Sequence, residues 1–251
     1  MTPARIVIVD DEQPARSRMR EVLADCAAEL PHAVAGEAAN GIEGLELVAA
    51  TQPDLALVDI HMPGMSGIEF ARHLQVLEHP PAVIFVTAHD QYAVQAFEVA
   101  AVDYLLKPVR AARLLAALKK ARAGARPVRE VLERIDPSPR RYFSVAERGR
   151  VSLVAVADVV FLKAELKYVT VRTREREYLI EDSLSQIEKE FGDTFVRIHR
   201  NCLVARALIR GVERGSENDA DAGWSVILEG CGERLPVSRR QWAALKELLK
   251  A

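Results

Sequence analysis

Four short apolar runs, at residues 6–9, 55–58, 83–86 and 102–106, are rich in β-branched residues and show no apolar–polar alternation. Runs of that kind fit the central strands of a parallel sheet covered on both faces. A fifth run, residues 32–36, is less apolar and is predicted to lie nearer an edge. Helical periodicity fills the gaps between them. The first helix begins after Asp11, has Pro14 near its first turn and carries Met19, Val22, Leu23 and Cys26. A second opens at Asn40-Gly41 with Ile42, Leu45 and Val48, and others are predicted over residues 67–77, 91–99 and 111–123. Leu114, Leu115 and Leu118 give the last of these an apolar stripe. Alternating β and α over about 120 residues predicts one doubly wound α/β domain, residues 1–123, on a five-stranded parallel sheet.

The pattern breaks at residues 124–140, where three prolines, four arginines and three acids crowd together. Val128, Val131, Leu132 and Ile135 predict a short amphipathic helix after Pro127, and Asp136-Pro137-Ser138-Pro139 is a breaker. This segment is read as a linker. From residue 141 to 251 the signals are mostly β, with strands predicted at 142–145, 151–154, 159–162, 168–172, 178–180, 195–198, 203–205, 209–214, 224–228 and 233–237. Residues 163–167 read as a loop and 173–177 as a charged turn. One helix interrupts: Ser183 and Gln186 form a capping box, with Leu184, Ile187 and Phe191 on one face. Another, over residues 239–250, has Trp242, Leu245, Leu248 and Leu249 as its apolar side. No convincing helix-turn-helix pair is present.

In the first half, Asp10-Asp11 follows the first strand, Asp59 the third, Thr87 the fourth and Lys107-Pro108 the fifth. These are carboxyl ends of strands, where open α/β sheets gather their ligand chemistry. Taken singly, each has an ordinary reading: a helix cap, a loop residue, a turn. Together they form one coherent set. Clustered carboxylates without soft ligands suit Mg²⁺. Such a cation offsets repulsion between a carboxylate and an incoming phosphoryl group, while a hydroxyl and an ammonium hold the transferring oxygens. The Asp is then the nucleophile and becomes an acyl phosphate.

Composition changes this picture only a little. With 251 residues, 49 % apolar and 28 % charged, the chain is ordinary globular material for two domains. Its net charge of −2 hides an asymmetry: residues 1–123 hold 11 Lys/Arg against 16 Asp/Glu, and residues 141–251 hold 19 against 17. That suits an acidic regulatory half and an anion-facing output half. Cys26, Cys202 and Cys231 show neither metal-ligand spacing nor a disulfide framework, which predicts a reducing, cytoplasmic setting. The opening MTPARIVIVDDE lacks a signal-peptide core, and the run 151–162, broken by Ser152 and Asp158, is too short to span a bilayer. No membrane partner is expected.

VDDE, DIHMPGMSG, VTAHD and DYLLKP, at these spacings, resemble the receiver domain of bacterial response regulators. The resemblance implies a flavodoxin-like fold with Asp59 as phosphoacceptor, Asp10 and Asp11 as Mg²⁺ acids, and the His61 backbone carbonyl as a further ligand. It makes Thr87 the switch hydroxyl, Lys107 the phosphate-facing lysine and Tyr104 the aromatic that follows them. His61 and His89, each two residues beyond Asp59 and Thr87, flank the pocket where that family commonly has smaller or acidic residues. They bear on the lifetime of the phosphoryl group.

The second half holds no nucleotide-binding Gly-rich loop, no HExxH and no Ser/His/Asp arrangement. An unrecognised catalytic output and a binding module both remain open. FVRIHRNCLVA, residues 195–205, is apolar at its ends but polar at Arg197, His199, Arg200 and Asn201, which burial without partners would make costly. With Lys163 and Lys167 bracketing a loop and Arg239-Arg240 opening the last helix, the basic residues favour a binding module. YFSVAERGRVSLVAVADVVFLKAELKYVTVRT, the capping-box helix, FVRIHRNCLVA and LPVSRRQW resemble the LytTR DNA-binding domain, and AFEVAAVDYLLKP resembles the receivers attached to it. That family implies a mostly-β domain placing loops in successive major grooves, with contacts from Lys167, Arg200, Asn201, Arg239 and Arg240. Arg200 and Asn201 then turn outward, while Arg197 and His199 are structural beneath them. The implied partners are a sensor histidine kinase, double-stranded promoter DNA and a second copy of the chain on activation. One rival is a receiver with a protein- or RNA-binding output. Another, an aspartyl-phosphate phosphatase, commonly needs an acid two residues after its nucleophile, where this chain has His61.

Overall fold

The computed structural model describes residues 3–88, 103–123, 139–147, 150–214 and 223–249. It separates into two compact units, residues 1–138 with 146–152 and residues 139–145 with 153–251. His89, the helix predicted at 91–99, Val102 and residues 124–138 of the linker lie outside the described residues.

In the first unit β1 (Ala4–Val9), β2 (His32–Ala38), β3 (Leu55–Asp59), β4 (Ala82–Thr87) and β5 (Asp103–Leu106) form one sheet in the order β2-β1-β3-β4-β5, all parallel. β3 and β4 are buried along their whole length, as unbroken apolar runs require, and the less apolar β2 takes an edge. Helix α1 (Gln13–Cys26) buries the four residues its periodicity marks, Met19, Val22, Leu23 and Cys26. They share a core with Ile6, Ile8, Ile84 and Leu105 and with Leu114 and Leu118 of α4 (Ala111–Arg122). α2 (Gly41–Thr51) and α3 (Gly67–Leu74) pack on each other. Ile42, predicted among the apolar residues of α2, is exposed instead, because only Leu45 and Val48 fall on its buried side. α3 ends at Leu74 rather than at residue 77. The chain tightens there through Gln75 N–H to Arg72 O and Leu77 N–H to Leu74 O, both 3.1 Å, before His79-Pro80-Pro81. A residue before proline avoids the helical region.

The second unit is built on a five-stranded antiparallel sheet, in the order β10 (Glu177–Ile180), β9 (Tyr168–Thr173), β8 (Val159–Glu165), β12 (Cys202–Ala205), β11 (Phe195–His199). Its two faces join different cores. On one, Leu162, Val169, Val171, Phe195 and Leu203 pack with the β6 (Tyr142–Glu147) and β7 (Arg150–Ala155) pair and with α5 (Leu184–Glu190). On the other, Phe161, Ile198 and Val204 pack with β13 (Ile209–Arg214), β14 (Trp224–Leu228), β15 (Arg234–Val237) and α6 (Arg239–Leu248). The Ser183–Gln186 capping box is formed. In α6 Leu245 is buried and Trp242 stacks on Trp224 at 4.1 Å, but Leu249, predicted on the apolar side, is exposed just past the helix end. At the start of the unit the buried Arg140 guanidinium is held by Asp182 at 3.1 Å and Glu190 at 3.0 Å.

One prediction needs a larger correction. β8 does not stop at Leu162; it runs to Glu165, with Ala164 paired to Val169 and Glu165 to Tyr168. The loop is only Leu166-Lys167. Lys163 therefore lies on the strand, where it pairs with Glu165 at 2.6 Å, and does not bracket a loop. Residues at i and i+2 share one face of a strand, so a charge cluster that reads as loop is a salt-bridged solvent face.

Candidate functional site

Strand register assembles the first cluster. Val9 pairs with Val58, so Asp10 and Asp59 leave the sheet level with each other. Asp59 pairs with Val86 and Thr87 with Leu106, which sets Thr87 and Lys107 one step farther along the next two strands. The Lys107 amide donates to the Thr87 carbonyl at 2.8 Å, and the Lys107-Pro108 peptide is cis. The Lys107 ammonium reaches back to Asp59 Oδ2 at 2.6 Å and Asp10 Oδ2 at 2.8 Å. Burial works against the Lys107 charge, but hydrogen bonds to Asp10 and Asp59 outweigh it and hold the ammonium above the ordinary lysine range.

Asp10 and Asp59 are buried, Asp11 is exposed, and one carboxylate oxygen from each lies within 4.8 Å of the others. A set of three hard oxygen donors, one open to solvent, fits a cation of the Mg²⁺ type. The loop after β3 wraps this cluster. The His61 amide donates to Asp59 Oδ1 at 3.2 Å, while its side chain is exposed. Pro63-Gly64 turns the chain with Gly64 at φ +80, and Ser66 caps α3 by accepting from Glu69 N–H. Gly67 has a steric reason: a Cβ there would lie 2.0 Å from the Asp59 carbonyl oxygen. Thr87 is wholly buried and Tyr104 is buried on β5.

Two supporting residues carry no sequence signal of their own. Arg16, on α1, donates to the Asp10 carbonyl at 2.6 Å and pairs with Glu37 at 3.3 Å, bracing the strand end. Arg113, on α4, forks onto Asp103 and donates to the Tyr104 carbonyl at 3.1 Å. Both act across sequence gaps that only the fold closes.

In the second unit three separate segments meet at one end of the five-stranded sheet. The Ala164 amide, two residues before the Leu166-Lys167 turn, donates to the Asn201 carbonyl at 2.8 Å. The Ser238 amide, at the N-cap of α6, donates to the Ile198 carbonyl at 2.9 Å. Lys167, Arg200-Asn201 and Arg239-Arg240 are thereby brought into one neighbourhood. Lys167, Arg200, Arg239 and Arg240 are exposed and hold no carboxylate partner among the described residues. By contrast Lys163, Arg172, Arg197, Arg210 and Arg234 are each paired with a glutamate. The polar middle of β11 divides accordingly. Arg197 donates to Glu188 at 2.7 Å and to the Arg200 carbonyl at 3.0 Å, bracing the turn from beneath. His199 Nδ1–H donates to Asn201 Oδ1 at 2.5 Å, which sets the orientation of the Asn201 amide. Cys202, behind that turn, is no reactive thiol: burial pushes it up to about 12.

Comparison with known proteins places a family on each half of the chain. A model of the response regulator receiver domain matches residues 6–119, and one of the LytTr DNA-binding domain matches residues 149–250. The positive alginate biosynthesis regulatory protein of Pseudomonas aeruginosa is 40 % identical over 252 residues, covering 97 % of this chain and 98 % of that one. The sensory transduction protein LytT of Bacillus subtilis is 32 % identical over 246 residues, covering 98 % of each. The transcriptional regulatory protein BtsR of Escherichia coli (strain K12) is 32 % identical over 246 residues, again covering 98 % of each. The chain belongs to the LytTR response regulators, in which a receiver domain is joined to a LytTR DNA-binding domain.

Proposed function

We propose that the protein is a phosphorylation-switched promoter-binding regulator of the cytoplasm, with a receiver at residues 1–123, a linker at 124–140 and the DNA-binding domain at 141–251. The observation that supports it most is the bridging of Asp10 and Asp59 by Lys107 at the carboxyl end of the sheet. An Asp59 oxygen attacks the phosphorus of a sensor kinase's phosphohistidine. The O–P bond forms as the P–N bond breaks, and the imidazole keeps the electron pair. Lys107, held protonated by its neighbours, pairs with the phosphoryl oxygens. Asp10, Asp11, Asp59 and the His61 carbonyl would hold Mg²⁺, which when bound offsets the charge shared by carboxylates and phosphoryl group.

The Thr87 hydroxyl then takes a phosphoryl oxygen and Tyr104 follows it, altering the face that includes β5 and α4 and favouring a homodimer. In the second unit Arg200 and Asn201 read base edges, and Lys167, Arg239 and Arg240 hold phosphates or a guanine edge. The test treats the full chain with a small acyl phosphate and Mg²⁺, following intact mass and DNA occupancy together. Wild type is expected to gain one phosphoryl group and bind DNA more tightly, and Asp59→Asn to do neither. A phosphoryl adduct on Asp59→Asn, or equal DNA occupancy for both, sinks the reading. If promoter DNA binds no better than random duplex and Arg200→Ala changes nothing, the output half binds protein or RNA instead.

A further inference from the structure

An exposed leucine on a protein surface calls for no explanation by itself. Leu166 differs in two ways. Its relative exposure is 108 %, and its backbone sits at φ +55, a region L side chains rarely adopt. It occupies the first position of the two-residue turn joining β8 to β9. Glycine or asparagine satisfies such a turn without strain. Leucine there buries no apolar surface and gains no backbone ease, so the fold has no use for its side chain.

Its surroundings say what the side chain would meet. It stands singly: Glu165 and Lys167 on either side are exposed and charged, and the Lys167 ammonium lies 5.3 Å from the centre of the Tyr168 ring. Such a setting is no apolar patch of the kind that docks a protein. The Ala164–Asn201 bond ties the hairpin, two residues before its turn, to the Arg200-Asn201 segment, so a polyanion held by those residues would run toward the hairpin tip. A two-stranded ribbon fits the major groove of B-DNA, and the one apolar group displayed there is the C5 methyl of thymine.

We propose that Leu166 is a specificity residue that reads a thymine methyl group in the major groove. This rests on the reading of Lys167, Arg200 and Asn201 as a DNA-contacting cluster. The geometry assigns complementary tasks to the turn: Leu166 reads a base, and Lys167 holds the backbone irrespective of sequence.

The test takes duplexes selected from a random library by the full-length wild-type chain and replaces each dT by dU in turn, removing only the methyl. One position is expected to weaken wild-type binding about four-fold, the scale of one buried methyl group. Leu166→Gly should bind the dT and dU duplexes equally, with a thermal midpoint equal to or above that of wild type because the strain is relieved. Lys167→Ala should weaken binding to every duplex while keeping the dT-over-dU preference. If no dT position separates wild type from Leu166→Gly while Lys167→Ala still weakens binding, the methyl reading is wrong and the DNA-contacting cluster stands. If Lys167→Ala and Arg200→Ala also leave binding unchanged, the cluster itself is refuted. A Leu166→Gly chain that keeps its DNA preference but loses self-association in sedimentation assigns the leucine to a protein contact and overturns the proposal.

Discussion

Arg197 and Arg200 stand three residues apart and are the same residue type, yet their surroundings give them opposite consequences. Arg197 is tied to Glu188 and to the Arg200 carbonyl. Arg197→Ala removes both bonds and is expected to lower stability by about 1–2 kcal/mol, as a lost charge-assisted hydrogen bond does. Among the described residues Arg200 bonds to the fold only through its backbone, so Arg200→Ala should leave stability within about 0.5 kcal/mol. Its DNA affinity should drop by about ten-fold or more, the range for one base-reading contact. Urea denaturation and fluorescence anisotropy with a selected duplex separate the two effects. A destabilised Arg200→Ala with unchanged affinity would reverse the assignment. His199 belongs with Arg197 in this account, since it orients Asn201 rather than facing outward itself.

Among the elements, the junction of β5 and α4 gives a pH-dependent test. Burial favours the neutral form of Asp103, but hydrogen bonds from Arg113 and from the Tyr104 amide overcome it, so its carboxyl is held below the ordinary aspartate range. A folded-state value below the unfolded one means that the folded chain binds this proton less readily. The clamp therefore contributes stability above the unfolded value near 3.9 and loses it as pH falls through the folded value. Because Arg113 is 41 % exposed, solvent screening limits the effect, and Asp103→Asn should cost about 1 kcal/mol at neutral pH. The gap from wild type should close as pH drops below about 4, measured by denaturation of the full chain. A gap that stays constant down to pH 3 would show that the carboxylate charge is not what holds the junction.

The elements also differ in how far the sequence discloses them. β1, β3 and β4 are buried on both faces, so their apolar runs stop abruptly and leave Asp10, Asp59 and Thr87 visible at the ends. The receiver cluster was legible for that reason. β8 obscures its own length because Lys163 and Glu165 form a solvent-facing pair, and antiparallel ladders tolerate such residues. Leu166 falls within the span read as a loop, and nothing in the letters there marks its positive φ or its full exposure. Arg16 and Arg113 escape because they brace carbonyls of neighbouring strand ends, six and nine residues away, that only the fold turns toward their helices. Gly67 shows its purpose only once the Asp59 carbonyl is seen where a Cβ would be.

At the scale of the whole molecule, two functions on one chain need a link, and the proposed homodimer would supply one without any change inside the DNA-binding unit. A dimer turns the second half-site contact into an intramolecular event, with a gain of about 10²–10⁴ in affinity when the geometry permits both contacts. Phosphorylated wild type is therefore expected to prefer a duplex with two half-sites in helical phase over a single half-site by about 100-fold, and unphosphorylated chain by much less. Helical phase decides the matter, because half-sites about 10 bp apart or multiples thereof face the same side of the duplex. Inserting about half a turn should remove the phosphorylation-dependent gain, and a full turn should recover much of it. Asp59→Asn should show no such gain at any spacing. The measurement must hold salt constant, since each phosphate contact makes affinity steeply salt-dependent and Arg239→Ala alone should lower the salt slope by about one. A gain that survives the half-turn insertion, or appears equally in Asp59→Asn, would place the switch within the DNA-binding unit rather than in self-association.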